Sequence, residues 1–132
     1  MKHLILAVVM IAATITSAFA DNRPTKADNE AAMKVGRTQL AAKTVELNNS
    51  INSHNTALAQ STAANVLDLM RKGMAQTYVK LNLESRDQQK EINKHYLEME
   101  RLTHEYLTLS ENVSANGAQL VSRAQSFLKE YK

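Results

Sequence analysis

The clearest hydrophobic pattern lies in the last third of the chain, where an apolar residue recurs at every seventh position. The six residues are Ile92, Met99, Tyr106, Val113, Leu120 and Phe127. Seven residues are about two turns of an α-helix, so these side chains share one helix face. The pattern predicts a long helix over residues 86–131, and we expect these six side chains to pack against other helices.

Two local signals set the limits of this helix. Ser85 and Gln88 have the spacing of a capping box, in which the two side chains bond free backbone N–H groups of the first turn. Asn116 and Gly117 mark the place where the helix would split, because glycine costs about 1 kcal/mol relative to alanine inside a helix. A second apolar stripe drifts around the helix, which favours bundle packing over a supercoil.

A first helix is predicted over residues 26–47. Thr25 and Asp28 form an acidic variant of the capping box at its start. Its apolar residues at sevenfold spacing are Met33, Leu40 and Leu47.

The segment from Leu47 to Leu67 contains no charged residue, and eleven of its positions are Asn, Ser, Thr or Gln. Asn and Ser side chains compete for backbone hydrogen bonds, so we expect a loop near 48–55. The helical pattern returns over 56–83. Small side chains on this second helix would allow another backbone to approach closely, which predicts an association surface at Ala57, Ser61 and Ala64.

These elements predict an all-α fold in a single domain over residues 21–132. The expected architecture is an antiparallel bundle of three helices, or of four if the last helix splits near Asn116. An extended helical hairpin is the alternative if the first two helices are continuous. A long last helix would outrun its neighbours and leave apolar positions uncovered, so we expect a homo-oligomer or a protein partner.

The N-terminus has the pattern of a cleaved signal peptide over residues 1–20. Lys2 precedes an apolar run from Leu4 to Ile15, and Ala18 and Ala20 supply the small residues of a cleavage site. The run is shorter than the ~20 residues that a membrane-spanning helix needs. We therefore expect an exported protein, periplasmic or secreted.

Composition narrows the class of protein further. The formal net charge is +3, of which one unit comes from Lys2, and this is too small a bias to predict nucleic-acid binding. The chain has no cysteine, so no disulfide stabilises it. The absence of disulfides in a small exported domain favours a bacterial envelope protein that is held together by helix packing.

No catalytic, metal or cofactor site is expected. His95 and His104 each follow a glutamate by four residues, but the two histidines lie on different faces of the predicted helix. The serines lie in helical or Asn-rich contexts that do not expose a nucleophile, so we expect no enzymatic activity. A haem-binding bundle is an alternative that would draw its ligands from His95 and the methionines Met33, Met70, Met74 and Met99.

The leading hypothesis is a non-enzymatic exported protein that works through helix–helix contacts. It would act as a periplasmic chaperone or adaptor, or as a structural component of an envelope or secretion assembly. The architecture is similar in kind to cysteine-free helical periplasmic chaperones and to helical minor pilus components, although no motif places the chain in either family. A membrane-active or lipid-binding protein is the other alternative. In this alternative the uncharged segment 47–67 would open out from the bundle and insert into lipid, although its polar side chains are costly to insert. The basic face of Arg86, Lys90 and Lys94 would attract an anionic lipid surface.

Overall fold

The computed structural model describes residues 24–132, and the signal peptide predicted over residues 1–20 lies outside them. Residues 24–132 form four α-helices and one short 3₁₀ turn, and they include no strand. In chain order the elements are α1 (Lys26–Asn52), α2 (Thr56–Leu83), α3 (Arg86–Leu109), the 3₁₀ turn (Ser110–Asn112) and α4 (Val113–Glu130). The all-α bundle that the sequence predicts is confirmed, in its four-helix form.

Helices α1 and α2 form an antiparallel hairpin. At its open end Lys26 pairs with Glu84 at 2.9 Å and Glu30 pairs with Lys80 at 3.0 Å. At its closed end the turn is stabilised by backbone N–H groups, from His54 to the Ile51 carbonyl and from Asn55 to the Ser50 carbonyl. These two bonds are the Schellman motif that commonly ends a helix.

The loop predicted over 48–55 is wrong in length, because α1 continues to Asn52. The Ser50 hydroxyl donates to the Leu47 carbonyl at 2.8 Å, and both residues are buried. Tertiary packing therefore overrides the weak helix propensity of this Asn- and Ser-rich run. The three-residue connection ends at Asn55, whose side chain accepts a hydrogen bond from the Leu58 N–H and starts α2.

Helices α3 and α4 form a second antiparallel hairpin, so the chain does not continue as one helix over 86–131. The Arg123 Nε donates to Glu105 Oε1 at 2.7 Å. In one continuous helix these residues would be about 27 Å apart at ~1.5 Å per residue. The break that the sequence allowed near Asn116 is present, and it reverses the direction of the chain.

Side-chain hydrogen bonds at the reversal explain the break. The Asn112 side chain caps the Ala115 N–H, and the Asn116 Nδ2 donates to the Leu109 carbonyl at 3.0 Å. Asn116 itself has non-helical angles, with φ −113° and ψ 17°. Gly117 follows, and a Cβ atom there would lie 2.9 Å from the Ile51 Cδ1. Asn116 therefore breaks the helix, whereas Gly117 leaves room for Ile51 beside it.

Of the two capping boxes predicted, the one at Thr25 forms its N-cap bond but not the return bond that the Asp28 carboxylate would accept from the Thr25 N–H. The Thr25 Oγ1 accepts a hydrogen bond from the Asp28 N–H at 3.0 Å and starts α1. Ser85 does precede α3, but its side chain makes no capping bond. Instead its backbone carbonyl accepts from the N–H groups of Gln88 and Gln89, so the box predicted with Gln88 is wrong.

The two hairpins pack into one bundle in which each helix contacts both of its neighbours, and α2 also contacts α4 across the core. Tyr106 joins α3 to α2 through a hydrogen bond from its hydroxyl to the Ala63 carbonyl at 2.8 Å. Ile92 is half-buried near the start of α3. The other five residues of the heptad pattern are buried: Met99, Tyr106, Val113, Leu120 and Phe127.

The burial of this stripe within the chain removes one argument for self-association. The heptad pattern predicts a long helix that would leave apolar positions uncovered. Because the chain reverses after Leu109, α3 and α4 bury those positions against α1 and α2. Any contact with another protein must therefore use a different surface.

Candidate interaction surface

Charged residues are unevenly distributed along the bundle. Residues 47–67 contain none, and Glu111 is the one charged residue of 106–122. The fold brings these two segments to the same end, because the α1–α2 turn lies in the first and the α3–α4 reversal lies in the second. Ile51 of one segment packs against Gly117 of the other. We call residues 47–67 and 106–122 the uncharged end.

The bundle becomes charged where these segments stop. Glu105 and Arg123, which directly flank the second segment, bind each other across the α3–α4 hairpin. Arg101 also contacts Glu105 as well as Glu98. The hydrogen bond from Arg123, together with the charge of Arg101, lowers the pKa of the Glu105 carboxyl below its ordinary value. This network marks the boundary between the two halves of the bundle.

The small residues of α2 point in two directions. Ala59 and Ala63 are buried, and the Ala63 carbonyl accepts the Tyr106 hydrogen bond, so this pair admits α3. Ala57, Ser61 and Ala64, which the sequence analysis proposed as association residues, are exposed on the other side of the helix. They form a face of small, uncharged side chains at the uncharged end.

Helix α1 has a second stripe that the sequence analysis missed. Its inward stripe contains Met33, Leu40 and Leu47, which are all fully buried. On the opposite side, residues alternate at spacings of four and three and are all exposed: Ala31, Val35, Thr38, Ala42, Val45 and Asn49. We call these six residues the outer stripe of α1. Their spacing is a heptad pattern, which was available in the sequence.

A shallow pocket of about 110 Å³ lies between the two turns of the uncharged end. His54 lines it in a left-handed backbone conformation with φ 56°, which is uncommon for a residue with a side chain. The remaining lining residues are Ser50, Ile51, Asn55, Thr56, Ala59, Val113 and Ser114. Polar and apolar side chains line the pocket together, without Asp, Glu, Lys or Arg. The pocket forms a depression in the candidate surface.

The histidines do not come together. Both ring nitrogens of His95 face carboxylates, with Nδ1 2.9 Å from Glu130 and Nε2 3.5 Å from Glu91. His104 is exposed on α3, and His54 lies in the α1–α2 turn. Within residues 24–132, no group of three or more acidic or histidine side chains is arranged to hold a metal ion.

The methionines considered as haem ligands have other surroundings. Met33, Met70 and Met99 are completely buried in the hydrophobic core, and Met74 packs against it. His95, their proposed partner, is instead held by its two carboxylates at the surface of the α3–α4 hairpin. The structure therefore places the methionines in core packing and His95 in contacts with two carboxylates.

The basic residues considered for a lipid surface do not form an unbroken patch. Lys94 lies 3.7 Å from Glu91, whereas Arg86 and Lys90 are exposed in the first turns of α3. Over the described part of the chain, no helix combines the length and hydropathy required to cross a bilayer.

Comparison of the chain with protein-family models, with curated proteins and with solved structures found no match.

Proposed function

We propose that this chain is an exported, non-enzymatic helical protein that acts through helix-to-helix contacts with other proteins. It would serve as a chaperone or adaptor of the periplasm, or as a structural component of an envelope or secretion assembly. The observation that carries the proposal is the uncharged end, where two distant segments meet and bring only Glu111 as a charged residue.

Covering a charged side chain with another protein costs free energy, because the charge loses its contact with water. The buried centre of a protein–protein interface is depleted of charged residues, since desolvating an unpaired charge is expensive. A surface that contacts only water is made more soluble by charged side chains, and the other half of this bundle carries many of them. A surface without them is suited to being covered, and the exposed side chains of Leu58 and Leu107 add apolar area there.

The exposed small residues of α2 favour a helix as the contacting element. Ala57 and Ala64 lie on the outer side of α2, with Ser61 between them. Small side chains allow two helix axes to approach closely, as the inward pair Ala59 and Ala63 already does for α3. The partner that we propose therefore presents an uncharged helix face.

The test uses the full chain, tagged at its C-terminus and produced in its native cells. We expect gently extracted protein to elute by size exclusion well above its own size. Ala64→Lys should move it to its own size, because the lysine would be buried against an uncharged partner. Ala75→Lys, at an exposed position of α2 outside the uncharged end, is the matched control and should leave the large species intact. Elution of the unmodified protein at its own size would contradict the proposal.

Export is tested separately by mass spectrometry of the same protein. Cleavage after Ala20 predicts a mature chain that begins at Asp21 and is released by osmotic shock. A chain that retains residues 1–20 in the cytoplasm would contradict the localisation that we propose.

A further inference from the structure

The outer stripe of α1 is not explained by the packing of the chain itself. Val35 and Val45 are 56% and 59% exposed, although β-branched residues are weaker helix formers than the alanine or lysine common on exposed faces. Neither residue contributes to the core of the bundle. A helix with apolar stripes on opposite sides normally has neighbours on both sides, and α1 has its own chain on one side only.

We infer that the outer stripe of α1 binds a second copy of this chain, with the two α1 helices antiparallel. The inference rests on the proposed function, because it names a second copy of this chain as one of the proteins that the bundle contacts through its helices. In a two-fold dimer centred at the level of Leu40, Val35 lies opposite Val45 of the second copy. Likewise, Thr38 lies opposite Ala42 of the second copy, and Ala31 lies opposite its Asn49. Two-fold symmetry forms each of these pairs twice.

The charges beside the stripe are compatible with this register. Of the positions that flank the stripe, Lys34 and Glu46 are the charged ones within residues 31–49. Lys34 would lie near Asn48 of the second copy, and Glu46 near its Ala32, so no like charges meet. Glu46 is also already neutralised by Lys43 of its own helix at 3.0 Å.

The distribution of charge along the bundle favours the antiparallel arrangement over the parallel one. Antiparallel helices place the charged half of each copy beside the uncharged end of the other. Parallel helices would place the two charged halves side by side, with Lys34 of each copy at the same level. The antiparallel dimer instead places the two Lys34 side chains toward opposite ends of the contact.

Size exclusion with light scattering on the full chain's exported product tests the dimer. We expect twice the mass of one chain, with a dissociation constant that rises by at least about 100-fold in Val35→Glu or Val45→Glu, since each change places two carboxylates in the interface. Unchanged helicity and melting temperature would show that these exposed positions do not affect folding. Asn93→Glu, at an exposed position on α3, is the control and should remain dimeric.

Disulfide cross-linking tests the register, because the chain has no cysteine of its own. A mixture of Val35→Cys and Val45→Cys chains should give a mixed disulfide, whereas Val35→Cys alone should not cross-link. Cross-linking of Val35→Cys with itself would overturn the antiparallel arrangement. A monomer at every concentration would overturn the dimer altogether, while a large native complex that Ala64→Lys disrupts would still support the proposed function.

Discussion

The Tyr131 hydroxyl occupies the space that a Cβ atom on Gly36 would need. The same tyrosine ring lies against Gly73, where a Cβ atom would be 2.9 Å from the Tyr131 Cε2. Glycine in α1 and glycine in α2 thus create a slot for the residue that ends α4. The Gln76 Oε1 accepts the hydroxyl hydrogen bond, and the Arg37 guanidinium lies 5.7 Å from the ring centre.

This slot predicts that Gly36→Ala destabilises the bundle, although glycine-to-alanine changes inside helices usually stabilise. We expect a loss of about 1–3 kcal/mol in urea unfolding followed by circular dichroism, because the new methyl group overpacks the slot. Tyr131→Phe removes the clashing oxygen. The double variant should therefore lose less than the sum of the two single variants, and simple additivity would argue against this contact.

The buried heptad stripe predicts a severe effect of Met99→Asp. Met99 is completely buried, so the substitution places an unpaired carboxylate in the core, and we expect cooperative unfolding to be abolished. Leu97→Asp on the same helix is the control, because Leu97 is 53% exposed. If the Met99 variant melted like the unmodified protein, the stripe would not form the core.

Burial of tyrosines predicts a loss of stability at alkaline pH. Burial raises the pKa of Tyr131 from 10.0 to about 12, and it also raises the pKa of Tyr106. A raised pKa in the folded state means that this stability is complete below pH 10 and is lost as pH rises through about 12. Urea midpoints measured across this window should fall less steeply for Tyr131→Phe than for the unmodified protein, and an equal slope would contradict the prediction.

The α1–α2 turn predicts that His54→Gly stabilises the protein. His54 has a left-handed conformation at φ 56°, which costs a residue with a Cβ atom about 1–2 kcal/mol. We expect a higher melting temperature for the glycine variant. His104→Gly, at an exposed position inside α3, should have the opposite effect. A lower melting temperature for the His54 variant would show that the imidazole makes contacts worth more than the backbone strain.

Periodicity predicted the helices better than it predicted the turn between α3 and α4. The interval of seven from Tyr106 to Val113 to Leu120 continues unbroken across the reversal, because both helices of the hairpin point this face into the same core. The pattern shows which side chains face the core, but it does not show whether the chain continues in one direction or reverses. The side-chain hydrogen bonds of Asn112 and Asn116 set the direction of the chain at this point. In the sequence, Asn116 with Gly117 was the one signal of the break.

The candidate surface could be predicted in part. The absence of charge over 47–67 is visible in the sequence, but its juxtaposition with 106–122 depends on the reversal after Leu109. Small residues of α2 occur on two faces, and periodicity alone does not say that Ala59 and Ala63 point inward while Ala57 and Ala64 point outward. The outer stripe of α1 was missed because the stronger inward stripe already accounted for a helix.

The most direct test of the central claim is photo-cross-linking in cells that produce the protein. A photoreactive amino acid at Ala64 lies in the proposed contact face, and the same residue at Ala75, exposed on the same helix but outside the uncharged end, is the control. The account predicts a discrete adduct with a second protein chain from Ala64 and none from Ala75. Absence of an adduct from Ala64, or equal adducts from both positions, would contradict the claim that the uncharged end is where this protein meets its partner.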